Sequence, residues 1–262
     1  MNTDTASDNV IGIIGDTHGH YGDTKKALEK ILAFDPTITT LYQLGDFNYG
    51  FDHADIPIRD TCMYTRRVSN WCELNNVMLH FISGNHENHE RLHRITGYDR
   101  HAGIGGMYRV DTAVKWVAPG TWVRDLNMLC LGGAFSIDVE SRTKGVDWWE
   151  EEELSEAEIE LAMCSAPKIV LTHDIPTWSK HSFTRHATFS YGEELQRRAI
   201  DHSKQIDRVL NVVKPRLTIH GHLHVSYMQD TPKGLLVGVA ATHQRHSAVV
   251  LNTSTLQIEF LA

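Results

Sequence analysis

The sequence predicts an α/β fold: a four-layer α-β-β-α sandwich in which two mixed β-sheets pack face to face and helices cover their outer faces. Three observations predict it. The first half alternates short apolar runs with helical segments. The second half contains hairpin-like runs, two helical segments and several more short strands. Finally, five of the apolar runs end in Asp, Asn or His, and open α/β sheets place their functional sites at such strand ends.

Each element of the first half has its own local signal. The apolar runs at 10–15, 40–44 and 77–82 have the length of buried strands. Apolar residues recur at helical spacing within 24–34, and 59–74 is a second predicted helix. The alternation of these segments predicts a βαβαβ unit.

The middle of the chain is less regular. Residues 88–112 are rich in His, Arg and Gly and predict a loop with one short helix. The next apolar runs predict strands that include a hairpin. We expect the later strands near residues 114–123, 128–135, 169–171, 217–220, 235–240, 246–251 and 256–260.

Two helices are predicted in the second half. Ser155 is a suitable N-cap, and Glu158 three residues later completes a capping box for a helix over 156–163. Apolar residues spaced by three and four predict a long amphipathic helix from 195 to 213, which ends before Pro215.

The composition is that of an ordinary globular protein. The 262 residues are 41% hydrophobic and 22% charged, and no apolar run is long enough to span a membrane. The candidate site residues run from 16 to 224, so we predict one domain over 1–262, with residues 1–8 disordered. The polar N-terminus has no secretory signal, and the four cysteines form no CxxC pair. We therefore expect idle thiols and a cytoplasmic protein.

The net charge of −8 bears on the partners of the protein. Proteins that follow long DNA or RNA normally present a basic face, and none is evident here. The charge therefore makes a long nucleic acid an unfavourable partner and favours a small or locally bound substrate.

Polar residues with metal-binding side chains stand at the ends of the apolar runs. In chain order they are Asp16, His18, Asp46, Asn85, His173, His222 and His224. Any one of these patterns arises by chance, and each residue could cap a strand or lie on the surface. All of them in order, each after a strand-like run, indicate a site for two divalent metal ions. Two metals held by Asp, Asn and His are typical of phosphoester hydrolysis.

The spacing of these residues suggests how they share the metals. Asp16 and His18 are two residues apart, so on an extended segment their side chains point to the same face. The same reasoning places His222 and His224 on one face. Asp46 has two carboxylate oxygens and could bridge two metals. Two divalent ions carry a charge of +4 against two carboxylates, so the loaded site would attract phosphate.

The remaining residues complete the predicted chemistry. Asn85 offers a neutral oxygen, and His173 completes the ligand set. His86 points away from Asn85 on an extended segment, so we assign it to proton donation to the leaving oxygen. The ligands are oxygen or imidazole, without thiolate, which suits Mn²⁺, Fe²⁺ or Zn²⁺.

These motifs resemble those of the calcineurin-like metallophosphoesterase superfamily, whose pattern is D-x-H, GD, GNH[ED], H and GHxH. Here the pattern is carried by Asp16-Thr17-His18, Gly45-Asp46, Gly84-Asn85-His86-Glu87, His173 and Gly221-His222-Leu223-His224. The resemblance covers about residues 10–225. It implies one metal on Asp16, His18 and His224, and a second on Asn85, His173 and His222. It also implies that Asp46 bridges the metals, that His86 is the acid, and that Mn²⁺ is the expected ion.

The start of the chain, GDTHGHYGDTKKAL, looks most like the Ser/Thr phosphoprotein phosphatases, but the sequence then departs from them. Tyr49 stands where an Asp would orient the catalytic His, and Gly50 stands where an Arg would bind phosphate. Ser83 stands where a second Arg often precedes GNHE. Each missing charge-assisted hydrogen bond to a phosphate dianion is worth roughly 1.5–3 kcal/mol, which favours a diester monoanion as the substrate.

Other polar residues could contact the substrate. The candidate substrate contacts are Arg142, Asn48 and His20. The block 136–153, with Trp148 and Trp149, is either a lid with an aromatic face or a packed loop. The acidic stretch 150–153 is expected to offset the dipole of the following helix. Asp174 could orient a histidine.

The sequence thus predicts a dinuclear, metal-dependent phosphoester hydrolase. We interpret it as a phosphodiesterase that acts on small diesters such as cyclic nucleotides. One alternative is a phosphoprotein phosphatase or phosphomonoesterase. A nuclease is disfavoured by the net charge, and a metal-loaded binding module without turnover is disfavoured by the presence of Asp46 and His86.

Overall fold

The computed structural model describes residues 9–51, 63–95, 97–182 and 192–262. The predicted disorder of residues 1–8, the start of the helix predicted over 59–74, and Cys62 lie outside these residues. In chain order, the helices and strands are β1 (Val10–Ile14), α1 (Tyr21–Phe34), β2 (Thr40–Gln43), α2 (Met63–Leu74), β3 (Met78–Ile82), α3 (His89–His93), β4 (Met107–Asp111), β5 (Val114–Val117), β6 (Thr121–Val123), β7 (Met128–Cys130), α4 (Glu156–Met163), β8 (Ile169–Thr172), α5 (Glu193–Val213), β9 (Leu217–His220), β10 (Tyr227–Thr231), β11 (Gly234–Gly238), β12 (Ala248–Asn252) and β13 (Ile258–Leu261).

The described strands form two mixed sheets. The first has seven strands in the order β13-β12-β1-β2-β3-β5-β4, and the second has six in the order β10-β11-β9-β8-β7-β6. In the first sheet β1, β2, β3 and β5 are parallel neighbours, and in the second β11, β9, β8 and β7 are. Because parallel strands end at the same edge of a sheet, each sheet gathers several strand ends in one place.

The two sheets pack against each other through a shared apolar core. Ile11 and Ile13 of β1 lie in this core with Leu171 of β8 and Ile219 of β9. Their neighbour Ile14 faces the other side of the first sheet and belongs to a separate cluster. This alternation is the two-residue period of a strand that is buried on both faces.

Helices cover the outer faces of both sheets, which confirms the predicted four-layer sandwich. Leu28 of α1 and Val68 of α2 pack on the first sheet, and Ile159 of α4 and Ile206 of α5 pack on the second. The apolar stripe predicted for α5 is therefore its buried face. None of the described helices is both long enough and apolar enough to cross a membrane.

The capping box predicted at the start of α4 is confirmed. The Ser155 hydroxyl accepts from the backbone N–H of Glu158, and the Glu158 carboxylate accepts from the backbone N–H of Ser155 at 2.7 Å. These two bonds satisfy N–H groups that the first turn of a helix leaves unpaired.

Two strands were not predicted. β4 lies within 88–112, which we expected to be loop, and pairs with β5 with a register shift between Arg109 and Asp111. β10 pairs antiparallel with β11. Both are edge strands with half-exposed, mixed side chains, so neither has the continuous apolar run that reveals a central strand.

Candidate metal centre

The candidate ligands converge because they follow strands that end at the same edge. Asp16 follows β1, Asp46 follows β2 and Asn85 follows β3, each within three residues of the strand end. In the second sheet His173 follows β8 directly and His222 follows β9. The site therefore lies where the carboxyl ends of strands from both sheets meet, as the sequence predicts.

The described residues contain two groups of side chains that could each hold a metal ion. The first group consists of Asp16, His18, Asp46 and His224, and the second consists of Asp46, His173 and His222. Within each group, the ligand atoms all lie within 4.8 Å of one another. Asp46 belongs to both groups, which is the arrangement that a bridging carboxylate requires.

Individual distances show how tightly the first group is packed. Nε2 of His224 lies 3.0 Å from Oδ2 of Asp16 and 2.9 Å from Nε2 of His18. Nε2 of His18 lies 3.7 Å from Oδ2 of Asp46. Lone-pair atoms of two imidazoles and two carboxylates thus face one another, and a divalent cation satisfies such a set.

The second group is fixed by hydrogen bonds on the outer side of its ligands. Nδ1 of His173 lies 2.7 Å from the carbonyl oxygen of Leu44, so the ring donates there and leaves Nε2 to face the site. That Nε2 lies 3.3 Å from Oδ1 of Asp46 and 3.2 Å from Oδ1 of Asn85. Asn85 therefore lies beside this group, where it could act as a neutral ligand.

The charges of the site favour a cation. Burial alone would raise the pKa of Asp46, but His173, His86 and His18 hold it well below its usual range. Burial opposes protonation of His173, yet the Asp46 carboxylate raises the pKa of His173 to about 10. A proton on His173 thus balances Asp46 when no metal is bound, and a divalent cation can replace it. The donor set and its charge fit two divalent ions.

The backbone at Gly221 approaches the site closely. The backbone N–H of His222 lies 3.1 Å from both carboxylate oxygens of Asp16. A Cβ on Gly221 would lie 2.3 Å from Oδ1 of Asp16, closer than real atoms approach. A side chain at this position would displace a candidate ligand.

The backbone at the ligands is left-handed rather than extended. The φ angle is 45° at His18, 56° at Asp46, 64° at His222 and 55° at His224. The prediction that His222 and His224 share one face is therefore wrong, because a left-handed residue reverses the chain. The two histidines enter different groups. Asp16 and His18 do meet, but through a turn rather than through the pleat of a strand.

Behind Asn85 lies a hydrogen-bond chain that sequence reasoning missed. Nδ2 of Asn85 donates to the hydroxyl of Ser136 at 3.2 Å, and that hydroxyl is hydrogen-bonded to Oε2 of Glu152 at 2.8 Å. The other oxygen of Glu152 accepts from the backbone of Ser136 at 2.6 Å and from the indole of Trp148 at 3.1 Å. This chain holds the Asn85 amide with its oxygen toward His173.

Glu152 corrects the interpretation of the acidic stretch 150–153. The expected role was to offset the dipole of α4, but the Glu152 residue is only 1% exposed and lies behind the site. Burial raises the pKa of Glu152 to about 8, against the opposing effect of its hydrogen bonds to Ser136 and Trp148. The acidic run 150–153 does not indicate in sequence that Glu152 is buried, because the fold determines which of its four glutamates is covered.

A second buried carboxylate joins two ligand loops. Glu87, the last residue of GNHE, accepts from the backbone N–H groups of Phe47, Asn48 and Gly84. These bonds tie the loop after β2 to the loop after β3. The motif therefore contributes a structural carboxylate in addition to Asn85.

Asp174 was expected to orient a histidine, and it contacts two. Its Oδ2 lies 2.6 Å from Nδ1 of His202 on α5, whereas its Oδ1 lies 4.0 Å from Nε2 of His222. The close partner is thus His202, whose other ring nitrogen accepts from the backbone N–H of Leu154 at 3.4 Å. His202 connects α5 to the loop that carries His173.

His86 lies beside the metal groups but belongs to neither. Its ring centroid is 4.9 Å from that of His18. Nη2 of Arg142 lies 2.9 Å from Nε2 of His86 and 2.9 Å from Oδ1 of Asp138. The structure therefore places Arg142 beside His86, in an ion pair with a residue that the sequence did not indicate.

A cleft of about 540 Å³ opens over this site. Its described lining residues are His18, His20, Asn48, Phe51, His86, Asp138, Ser141, Arg142 and Asp147. The three predicted substrate contacts, Arg142, Asn48 and His20, all line it. His243 stands nearby, with its ring centroid 6.1 Å from that of His224.

The two tryptophans pack rather than present a free aromatic face. Trp149 is 6% exposed and its ring lies 5.6 Å from that of Phe51. The indole of Trp148 is held by Glu152. Of the two interpretations of block 136–153, the packed loop is the one that the structure favours.

The positions that depart from the phosphoprotein phosphatases supply no cation. Tyr49 turns toward the core, where its ring lies 5.9 Å from that of Phe81. Ser83 is buried, and a Cβ on Gly132 would lie 2.5 Å from its hydroxyl. A side chain at position 132 would therefore have to displace Ser83.

Comparison with solved structures shows which folds this one is similar to. TT1561 of Thermus thermophilus aligns over 96% of this chain and 97% of its own, with 12% identity and a TM-score of 0.52. A novel archaeal phosphodiesterase aligns over 95% and 97%, with 14% identity and a TM-score of 0.38. A protein serine/threonine phosphatase from Saccharomyces cerevisiae aligns over 99% and 82%, with 15% identity and a TM-score of 0.36. At these identities the likeness to TT1561 concerns the fold alone, and the other two carry no argument about the reaction.

No curated protein matches the chain. The model of the calcineurin-like phosphoesterase family matches residues 10–226, a stretch that contains every candidate ligand. Enzymes of this family depend on a dinuclear metal centre, and the two groups that share Asp46 have the donors for one. The chain therefore belongs to the calcineurin-like phosphoesterases and is a metal-dependent phosphoester hydrolase.

Proposed function

We propose that the protein is a phosphodiesterase that hydrolyses small diesters such as cyclic nucleotides, with Mn²⁺ as its metal. In this proposal Asp16, His18 and His224 hold one ion, and Asn85, His173 and His222 hold the other. Asp46 bridges the two ions. The grouping of the ligand atoms around Asp46 supports this assignment.

When bound, the two ions would activate a water molecule and neutralise charge on the phosphate. The side chains do the rest. His86 lies next to the metal groups and faces the cleft, so it donates a proton to the leaving oxygen. In the structure Nε2 of His86 accepts from Arg142, because a guanidinium only donates. Proton donation from Nε2 therefore requires Arg142 to move away from His86.

The observation that carries the diester assignment is the charge of the cleft. Among its described lining residues, Arg142 is the one lysine or arginine, and the carboxylates of Asp138 and Asp147 line the same space. Arg142 is already paired with Asp138 at 2.9 Å. A phosphomonoester carries a second negative charge near neutral pH, and the cleft offers no unpaired arginine or lysine for it within the described residues.

The test compares a diester with a monoester that release the same chromophore. Metal-stripped protein is refilled with Mn²⁺ and assayed with bis(4-nitrophenyl) phosphate and 4-nitrophenyl phosphate. We expect the diester to be preferred, and His86→Ala to lower its kcat by roughly 10²–10⁴-fold. His101→Ala, which alters an exposed histidine outside the cleft, is the control.

Preference for the monoester would overturn the diester assignment, and a phosphatase or phosphomonoesterase would then be the better description. Full diester turnover by His86→Ala would overturn the proton-donor assignment alone. If both substrates are left intact while two metals are bound, the metal-loaded binding module becomes the better description.

A further inference from the structure

We propose that Asp138 determines substrate selectivity by neutralising Arg142, and thereby excludes the dianion of a phosphomonoester. This inference rests on the proposed phosphodiesterase function. It assigns a role to a residue that is neither a candidate ligand nor part of any motif described above.

The positive charge of Arg142 lies in the cleft and is balanced by the carboxylate of Asp138. Its side chain is 7% exposed, whereas that of Asp138 is 40% exposed and faces the cleft. Besides the ion pair with Asp138, Nη1 contacts the carbonyl oxygens of Asn85 at 3.3 Å and Asp147 at 3.4 Å. Nη2 also contacts His86. The guanidinium is thus held at the mouth of the metal site with one full negative charge beside it.

The carboxylate of Asp138 does not cap the local turn. Residues Val139–Ser141 form a short 3₁₀ helix for which Asp138 is the N-cap position, but its side chain makes no capping hydrogen bond. The turn is closed by the backbone, since Ser141 donates to the carbonyl oxygen of Asp138 at 2.9 Å. The carboxylate instead pairs with Arg142, and both residues line the cleft.

The two substrate classes differ in the charge that this pair would meet. A diester brings one negative charge, which the metal ions can neutralise. A monoester brings a second charge, which would need Arg142 as a partner and would be repelled by Asp138. Charge-assisted hydrogen bonds are strong in a partly buried site, and the bond between Arg142 and Asp138 is one of them. Arg142 would have to give up this bond to bind the second charge of a monoester. The Asp138 carboxylate therefore weakens binding of the dianion more than binding of the monoanion.

The test replaces Asp138 by its neutral isostere and measures both substrates. Asp138→Asn should raise kcat/KM for 4-nitrophenyl phosphate roughly 10-fold and change kcat/KM for the diester by less than about 3-fold. Glu140→Gln removes an exposed charge from the same turn and should leave the ratio unchanged. In an Arg142→Gln background there is no guanidinium for Asp138→Asn to free. Most of the gain in kcat/KM for the monoester should therefore vanish.

The outcomes separate this inference from the function on which it rests. An unchanged ratio, or an equal loss on both substrates, would overturn the role of Asp138 while diester hydrolysis stands. A gain of the same size in the Arg142→Gln background would overturn the pairing argument. Absence of diester hydrolysis in the unaltered protein would overturn the proposed function itself.

Discussion

The buried carboxyl of Glu152 makes a testable contribution to stability. Burial raises its pKa to about 8, whereas an exposed glutamate titrates near 4.5. Between these values the folded protein keeps a proton that the unfolded chain releases. The stabilisation from that proton is therefore fully present below about pH 4.5 and is lost as the pH rises through about 8. Glu152→Gln copies the protonated side chain and does not titrate.

The size of the effect follows from the shift. Each pKa unit corresponds to about 1.4 kcal/mol, so metal-free Glu152→Gln should exceed the unaltered protein in unfolding free energy by roughly 3 kcal/mol at pH 7. At pH 5 the two proteins should differ by less than about 1 kcal/mol. For a chain of this size, 3 kcal/mol corresponds to a rise in Tm of about 6–12 °C.

Thermal unfolding in the presence of a chelator, at pH 5, 6, 7 and 8, measures this difference. Glu151→Gln is the matched control, because its carboxylate is exposed and the curve should stay parallel to that of the unaltered protein. Comparison within one pH removes the contribution of other buried groups, such as His89, whose pKa burial lowers to about 3. A difference between Glu152→Gln and the unaltered protein that is constant from pH 5 to 8 would refute the reasoning.

Two further predictions concern the metal ligands. Ser136→Ala removes the hydroxyl that accepts from Nδ2 of Asn85. We therefore expect the weaker of two Mn²⁺ ions to bind about 10–100-fold less tightly in a calorimetric titration. Unaltered Mn²⁺ binding would contradict this role of the hydroxyl. Gly221→Ala places a Cβ 2.3 Å from the Asp16 carboxylate, so this variant should bind less Mn²⁺ than the unaltered protein, as measured by atomic emission. Gly22→Ala is the control, because the space around its Cβ is open, and it should bind as much Mn²⁺ as the unaltered protein. Two bound ions in Gly221→Ala would show that the loop moves aside easily.

The sequence predicted the architecture well because its signals are local. The length of each apolar run and the change from strand to helix spacing are set by what a segment must bury, as β1 and α5 illustrate. The edge strands β4 and β10 were missed because one side of each strand is not covered. Their sequences therefore do not need the continuous apolar run that marks a central strand. The convergence of the strand ends followed from parallel pairing, which a βαβαβ order already implies.

The residues behind the ligands could not be predicted in the same way. Glu152, Ser136 and Asp138 lie in an irregular segment without periodicity, and each acquires its role from the way the fold places its neighbours. Arg142 was predicted at the site because it is a cation near the motifs, but its partner depends on the turn that positions Asp138. Sequence spacing shows which chemistry is present, whereas charge pairing within the fold determines how much of it is available to a substrate.

The left-handed backbone explains why the site can hold two ions instead of one. In an extended strand, His222 and His224 would point the same way and compete for a single ion. The positive φ angles of both residues reverse the chain between them, so one histidine joins Asp46 and the other joins Asp16. Such a conformation costs about 1–3 kcal/mol at each residue other than glycine, and hydrogen bonds such as that from His222 to the Asp16 carboxylate help to offset it. Ligands that the fold holds in place lose less of the free energy of metal binding to ordering than ligands on a flexible chain would.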